Sequence, residues 1–186
     1  MATNLNQLPT DLPIPEDDGA AAHLAGASLP NLSLTATNGT AVNLAQLTGR
    51  HIIYIYPMTG QPGVPLPDGW DGIPGARGCT PQSCSFRDHH AELAALNTAV
   101  FGLSAQTTAY QSEVHARLHL PFPLLSDVGL ALKSALKLPT FTAAGMELYK
   151  RLTLVVDGQT ITKVFYPVFP PDQSASDVLA WLRQNA

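Results

Sequence analysis

Charged residues are scarce in this chain: they make up 13% of its 186 residues, and acidic ones outnumber basic ones by 14 to 10. The resulting net charge of −4 argues against nucleic acid or an anionic membrane as a partner. Long hydrophobic runs are also missing, since no stretch approaches the ~18 uninterrupted apolar residues of a transmembrane helix. The N-terminus lacks the basic and apolar segments of a secretory signal. These absences lead us to expect a cytoplasmic protein without nucleic-acid or membrane partners.

Cysteine occurs only twice, as Cys79 and Cys84. The CxxC redox motif and the four-ligand spacing of a zinc site are both missing. Two histidine pairs, at 89–90 and at 115/119, lack a third ligand nearby, and we interpret them as solvated helix faces. We therefore expect no metal or organic cofactor. In a reducing compartment, a close cysteine pair is more often catalytic than structural.

A helix start signal lies between the two cysteines. Thr80 suits the N-cap position, because its hydroxyl can accept a hydrogen bond from a free backbone N–H. Pro81 would then occupy the first helical position, where its missing N–H is not needed. The pattern predicts a helix over 81–97 with Cys79 at its N-terminus. Because the N–H groups and dipole of a helix N-terminus favour negative charge, Cys79 is predicted to be a nucleophilic thiolate at neutral pH.

Cys84 would lie within the first two turns of the same helix. If both cysteines were helical, their Cα atoms would be about 8.6 Å apart. A disulfide requires a separation below roughly 7 Å, so a Cys79–Cys84 bond would require the first turn to unwind. This is the behaviour of a redox switch. Two buried structural thiols, or a structural disulfide of a secreted protein, are the alternatives.

Strands and helices alternate along the chain, which indicates an α/β fold. The apolar run over 51–56 is typical of a strand that is buried on both faces, as in a mixed or parallel sheet. Asn38-Gly39 is a strong signal for a type I′ hairpin turn. The predicted elements, in order, are a hairpin of 32–35 and 40–44, a strand over 51–56, a helix over 81–97, a strand over 100–105, helices over 107–120 and 128–138, a hairpin of 151–156 and 160–166, and a helix over 176–185.

The chain divides into an arm and one domain. Residues 1–28 are polar and proline-rich, which predicts an extended N-terminal arm, and residues 29–186 form the domain. Within it, residues 59–78 contain six glycines and four prolines, a composition that excludes regular structure. Because this Gly/Pro-rich insertion leads directly into Cys79, we interpret it as a lid or substrate-side wall, with a plain surface insertion as the alternative.

The segment Gly78-Cys79-Thr80, followed by Cys84 and Phe86-Arg87-Asp88, resembles the Q-type peroxiredoxins, also called bacterioferritin-comigratory proteins, of the AhpC/TSA-redoxin superfamily. The resemblance runs from about residue 29 to the C-terminus. It implies a thioredoxin-like fold, with a central mixed sheet flanked by helices. It also implies thiol-dependent reduction of hydrogen peroxide and organic hydroperoxides, with Cys79 as the peroxidatic and Cys84 as the resolving cysteine. Thioredoxin or glutaredoxin would be the reductant, and the protein would be a monomer or weak dimer.

The resemblance assigns two further residues. Arg151 begins the segment Arg151-Leu152-Thr153-Leu154-Val155-Val156-Asp157, which fits the context of the family's catalytic arginine. A fixed cation suits the charge that moves from sulfur to the leaving oxygen. The family's P-x-x-x-T-x-x-C signature is interrupted here, and we take Thr59 as the displaced threonine. Arg77 is expected to be solvated.

Two other functions remain open on the same fold. A thiol–disulfide oxidoreductase would act on protein disulfides, although the missing CxxC motif weighs against it. A non-enzymatic redox sensor would use the cysteine pair to change shape. Turnover separates these possibilities, since an enzyme consumes many equivalents of peroxide and a sensor consumes about one.

Overall fold

The computed structural model describes residues 4–185, and its centre is a seven-stranded mixed sheet. The strands are β1 (Ser33–Ala36), β2 (Ala41–Asn43), β3 (Arg50–Ile55), β4 (Thr98–Ser104), β5 (Leu124–Ser126), β6 (Thr140–Ala143), β7 (Met146–Tyr149), β8 (Leu152–Asp157) and β9 (Thr160–Phe165). The helices are α1 (Cys79–Asp88), α2 (His90–Ala95), α3 (Thr108–Arg117), α4 (Ala131–Leu136) and α5 (Ser174–Gln184). The strand order is β2-β1-β5-β4-β3-β8-β9, while β6 and β7 form a separate ribbon.

Strand β3 lies inside the sheet because it is apolar on both faces. It pairs in parallel with β4 and antiparallel with β8. Ile52 and Tyr54 pack on one face with residues of α1, α2, α3 and α5. Ile53 and Ile55 pack on the other face with residues of α4 and of the N-terminal hairpin. The predicted α/β class, with a mixed sheet flanked by helices, is confirmed.

Helix α1 is fixed to β3 through its second half. The ring of Phe86 stacks on that of Tyr54, with centroids 4.6 Å apart and planes 10° from parallel. The Tyr54 hydroxyl donates a hydrogen bond of 3.1 Å to Ser83 Oγ. Burial raises the pKa of Tyr54 well above its ordinary value, so this hydroxyl keeps its proton. The hydroxyl group of Tyr54, through Ser83, and its ring, through Phe86, therefore hold α1 against the sheet.

The N-terminal hairpin forms as predicted, but with a different turn. β1 and β2 pair antiparallel, with Leu34 opposite Val42. Gly39 has a φ of 81°, whereas Asn38 keeps a negative φ, so the turn is not type I′. A second hairpin, β6–β7, was not predicted. Its turn has positive φ at both Ala144 and Gly145, and alanine gives no sequence signal for that conformation.

Several helices are shorter than the sequence pattern predicts. The predicted helix over 81–97 is divided, because His89 leaves the helical region with φ −99° and ψ 8°. Its ring nitrogen Nδ1 lies 2.9 Å from the carbonyl oxygen of Ser85, which is one of the last carbonyl groups of α1. Helix α4 spans six residues of the predicted 128–138. None of the helices within residues 4–185 combines the length and apolar character needed to cross a membrane.

The N-terminal arm lies against the domain. Leu24 is fully buried in the core between the sheet and α4. Asp18 accepts hydrogen bonds from Lys150 Nζ at 2.6 Å and from the Tyr166 hydroxyl at 2.7 Å. The insertion of residues 59–78 contains a short 3₁₀ helix at Trp70–Gly72. The side chain of Trp70 is buried. The domain boundary after residue 28 stays a prediction.

Candidate active site

Helix α1 begins at Cys79, two residues before the position that the sequence pattern indicates. Gly78 is the N-cap, with a φ of 104° and no side-chain cap, and its carbonyl accepts the first helical hydrogen bond from Gln82 N–H at 3.0 Å. The prediction that Thr80 caps the helix and Pro81 opens it is therefore wrong. Pro81 is tolerated at the third position because the first four N–H groups of a helix have no partner within it. Cys79 lies in the first turn.

Arg151 contacts the Cys79 thiol directly. Its Nη2 atom lies 3.2 Å from Sγ and also donates to the carbonyl oxygens of Ala76 and Arg77, both at 3.1 Å. Arg151 is 3% exposed and Cys79 is also 3% exposed, so this contact is shielded from water. A buried cation beside sulfur stabilises negative charge on it, because the low local dielectric strengthens their attraction.

Gln82 holds the Arg151 guanidinium in place. Its Oε1 accepts a hydrogen bond from Nη1 of Arg151, and its Nε2 donates to Ser174 Oγ at 3.2 Å. Gln82 is fully buried, and both polar atoms of its amide form hydrogen bonds within the protein. Sequence reasoning missed this residue, although its position three residues after Cys79 puts both on one helix face. The arginine is thereby oriented by the helix that carries the thiol.

Cys84 lies in the second turn of α1 and is half-buried. Both cysteines are free thiols. Burial raises the pKa of the Cys84 thiol above its ordinary value, and the nearby Arg87 partly opposes this effect. Because Cys79 and Cys84 both belong to a continuous helix, helix geometry separates their Cα atoms by about 8.6 Å. A disulfide between them therefore requires part of α1 to unwind.

Thr59 and Cys79 line the same small cavity, of about 10 Å³. The Thr59 hydroxyl donates a hydrogen bond of 3.1 Å to Gln106 Oε1, which also accepts from the Thr59 main-chain N–H at 3.0 Å. The Tyr110 hydroxyl donates to the Thr59 carbonyl at 2.9 Å. These contacts fix the start of the insertion beside the thiol. The structure thus places Thr59 and Arg151 beside Cys79, whereas Cys84 lies more than one helical turn further along α1.

The model of one protein family, Redoxin, matches residues 24–182 of the chain. The chain belongs to the redoxin family. A relative from rice (Oryza sativa subsp. japonica), "Peroxiredoxin Q, chloroplastic", is 29% identical over 160 residues, which are 85% of this chain and 66% of the relative. "Peroxiredoxin Bcp" of Bacillus subtilis is 30% identical over 103 residues, which are 55% of this chain and 56% of the relative. The predicted identification as a Q-type peroxiredoxin is confirmed.

Solved structures with the same fold include peroxidoxin BcpB from Mycobacterium tuberculosis, with a TM-score of 0.70 and 24% identity. That comparison covers 87% of this redoxin and 97% of the other chain. A PrxQ variant from Xylella fastidiosa gives a TM-score of 0.70 at 21% identity, over 87% and 96% of the two chains. These similarities concern the fold, and they confirm the predicted thioredoxin-like architecture. This redoxin spans 66% of the rice relative's length.

Arg77 in this redoxin is buried, so the prediction that it is solvated is wrong. It is 7% exposed, and its Nη2 donates to the Asn4 carbonyl at 2.8 Å and approaches the Gln7 carbonyl at 3.5 Å. Asp71 of the insertion lies 3.4 Å from its Nη1. The N-terminal arm supplies the acceptors that a buried guanidinium needs. Because these acceptors are main-chain carbonyl groups, no pattern of side chains in the sequence reveals the contact.

Gly78 occupies a position that other residues do not fit. A Cβ atom there would lie 2.3 Å from Pro171 Cγ and 2.8 Å from Leu8 Cδ2, and the positive φ adds strain for any side chain. We expect Gly78→Ala to lower the free energy of unfolding by roughly 2–4 kcal/mol, from strain and overpacking together. Urea unfolding of both proteins measures this loss.

Gly63→Ala is the matched control for this prediction. Gly63 also has a positive φ, of 78°, but nothing lies within 4 Å of a Cβ placed on it. It therefore carries the backbone strain without the collision, and its loss of stability should be clearly smaller. Equal losses in the two variants would contradict the steric explanation.

Residues 4–185 include no group of three or more His, Cys, Asp or Glu side chains placed to hold a metal ion. The histidine pairs at 89–90 and 115/119 lie on or beside α1, α2 and α3.

Proposed function

We propose that this chain is a thiol-dependent peroxidase that reduces hydroperoxides at Cys79. The observation that carries the proposal is the 3.2 Å contact between Arg151 Nη2 and Cys79 Sγ at the first turn of a helix. A buried thiol, a fixed cation and helical N–H groups meet at one point in a chain that belongs to the Q-type peroxiredoxins. Nucleophilic attack by a thiolate is the chemistry that such a combination favours.

The first step transfers one oxygen atom to sulfur. The Cys79 thiolate attacks one oxygen of the hydroperoxide, an S–O bond forms, and the O–O bond breaks. Sulfur is oxidised to sulfenic acid, while the other oxygen leaves with the bonding electron pair and takes a proton as water or alcohol. Arg151 stabilises the charge that develops on the leaving oxygen. Because the guanidinium is already fixed by Gln82 and by two carbonyl groups, little reorganisation is needed at that moment.

The second step forms a disulfide. After the first turn of α1 unwinds, Cys84 sulfur attacks the sulfenic sulfur of Cys79, and water leaves with the oxygen atom and the released proton. An external dithiol, thioredoxin or glutaredoxin, then reduces the disulfide by thiol–disulfide exchange and becomes oxidised itself. The family resemblance supports this choice of reductant. Hydrogen peroxide and organic hydroperoxides are the proposed substrates.

Replacing Cys84 with serine tests this scheme. In the wild type, one equivalent of peroxide should give an intramolecular disulfide, detected by mass spectrometry as a loss of two hydrogens. Cys84→Ser should keep the first step and stop at a sulfenic acid that a dimedone probe captures, because no second thiol is present. Steady-state turnover with thioredoxin should then fall by about tenfold or more. A wild-type protein that forms only intermolecular dimers, or that consumes about one equivalent of peroxide, would refute the scheme.

Thr59 is proposed to position the peroxide through its hydroxyl. It shares the small cavity with Cys79, and its oxygen can accept a hydrogen bond while its O–H donates to Gln106 Oε1. Thr59→Val keeps the shape and removes the hydroxyl. The rate of Cys79 oxidation should fall up to about tenfold, the usual value of one hydrogen bond. Rapid mixing with hydrogen peroxide measures it, and an unchanged rate would remove Thr59 from the site.

We also propose a reducing compartment, such as the cytoplasm, and a monomer or weak dimer. In such a compartment a close cysteine pair is more often catalytic than structural, which agrees with the proposed roles of Cys79 and Cys84. The arm of residues 1–28 and the insertion of residues 59–78 are proposed as additions around a redoxin domain, and both contribute residues near the thiol.

A further inference from the structure

The N-terminal arm closes the space in front of the Cys79 thiol. Cys79 is 3% exposed, and the cavity that it lines together with Thr59 has a volume of about 10 Å³. This volume is at the lower limit for one water molecule. Leu5 of the arm and Leu66 of the insertion belong to the wall of the same cavity. A molecule clearly larger than water therefore reaches the sulfur through this cavity only if part of the wall moves.

The side chains of Leu5 and Leu66 meet over Gly60, the residue that follows Thr59. A Cβ atom placed on Gly60 would lie 2.8 Å from Leu5 Cδ2 and 3.0 Å from Leu66 Cδ2, so the two leucines fill the space that a side chain would need. Leu66 also packs against the hydrophobic cluster around Trp70. Leu5 instead belongs to an arm that precedes the matched redoxin region of 24–182. Leu5 is therefore the part of this wall that can move without disturbing the domain.

Arg77 holds the main chain of the arm on both sides of Leu5. Its Nη2 donates to the Asn4 carbonyl oxygen at 2.8 Å and approaches that of Gln7 at 3.5 Å. Because Arg77 is buried, the loss of these acceptors would leave a guanidinium poorly paired, and the closed position is favoured. The side chain of Leu5 itself is half-buried, so moving it exposes less apolar surface than moving a core residue. The arm is thus closed by default and can still open.

We propose that Leu5 is a gate that selects substrates by size: in its closed position a molecule close to water in size reaches Cys79, whereas a bulky hydroperoxide reacts only after Leu5 moves away. The inference rests on the proposed peroxidase function and adds a specificity-determining residue to it. The rate with a reagent that needs the open form is proportional to the fraction of molecules in that form. Leu5→Ala removes packing that holds the closed form, so the open fraction rises.

The kinetic test compares a bulky and a small peroxide in Leu5→Ala. Stopped-flow mixing gives the second-order rate constants for oxidation of Cys79 by cumene hydroperoxide and by hydrogen peroxide. The ratio of the first constant to the second should rise about tenfold over that of the wild type. Leu47→Ala is the matched control, because Leu47 is also a half-buried leucine but packs on the other face of the sheet, outside the cavity wall. An unchanged or lower ratio in Leu5→Ala, or an equal rise in Leu47→Ala, would overturn the proposal.

Alkylation by iodoacetamide tests the gate without any peroxide. In a Cys84→Ser background Cys79 is the remaining cysteine, and iodoacetamide needs the same opening as a bulky hydroperoxide. Its rate should rise about tenfold when Leu5→Ala is added and stay unchanged when Leu47→Ala is added. The pH at which the rate is half-maximal should be the same in all three proteins, because a gate changes access to the thiolate and not its ionisation. A shift of this pH that accounts for the faster reaction would contradict the gate.

The two measurements separate the gate from the peroxidase function. If alkylation behaves as expected but neither peroxide is reduced, the gate stands and the peroxidase function fails. If both peroxides are reduced but Leu5→Ala changes neither the alkylation rate nor the ratio, the gate fails alone. Where peroxides are reduced, the gate requires both rises, and the absence of either one refutes it.

Discussion

Replacing Cys79 with serine is expected to abolish hydroperoxide reduction, with a fall in kcat/KM of at least about 10⁴-fold. Serine keeps the size of the side chain but leaves a hydroxyl that does not ionise near neutral pH, so no comparable nucleophile remains. The loss should be present already in a single turnover, since the first step itself uses Sγ. A coupled assay with thioredoxin and direct peroxide consumption both measure it.

Cys84→Ser is the internal control for this result. It removes a thiol from the same helix, five residues further on, and should retain the first oxidation. Thermal unfolding should be similar in both serine variants. If Cys79→Ser still reduced peroxide while Cys84→Ser did not, the assignment of the two cysteines would be reversed.

Arg151→Met should slow the first step by roughly 10²–10³-fold, the usual loss when a fixed donor at a developing charge is removed. Methionine fills similar space but has no charge, so Sγ loses its only arginine contact among the described residues. Reaction of Cys79 with iodoacetamide should slow as well, because that reaction also uses the thiolate. Stopped-flow detection of sulfenic acid formation gives the rate.

Two further arginine variants identify the cause. Arg151→Lys keeps a positive charge but cannot donate to Sγ, Ala76 and Arg77 through a planar fork, so its rate should lie between those of wild type and Arg151→Met. Arg183→Met is the control, because Arg183 lies on the exposed face of α5 and pairs with Glu92, away from the thiol. Full activity of Arg151→Met in a folded protein would exclude an electrostatic role for this residue.

The sequence predicts those parts of the fold that depend on local patterning. Strand β3 is a continuous apolar run and could be placed to within one residue at each end. Arg151 could be named because the segment that it begins resembles the context of the family's catalytic arginine, and its catalytic role stays a prediction. The start of α1 was predicted two residues too late, since Gly78 is the N-cap without any side-chain oxygen.

The remaining errors concern contacts between distant segments. Arg77 is buried because main-chain carbonyl groups of Asn4 and Gln7 reach it, and main-chain acceptors are identical in every sequence. His89 interrupts a helix through the geometry of its own backbone, although histidine is not a helix breaker by composition. Residues 14–16 line a cavity of about 450 Å³ together with residues of the domain, and no periodicity of the sequence could indicate that the arm folds there.

The stacking of Phe86 on Tyr54 anchors the second half of α1 independently of the contacts that its first turn makes with Arg151 and Ser174. Starting a helix is unfavourable, because several residues must be ordered before the first hydrogen bond forms, whereas adding a residue to an existing turn is easy. If Cys79 and Cys84 form the proposed disulfide, the turn around Cys79 would grow back after its reduction from the anchored turn of Phe86, which serves as a ready nucleus. The return to the reactive shape would then need only propagation, so that it would not limit how often the cycle repeats.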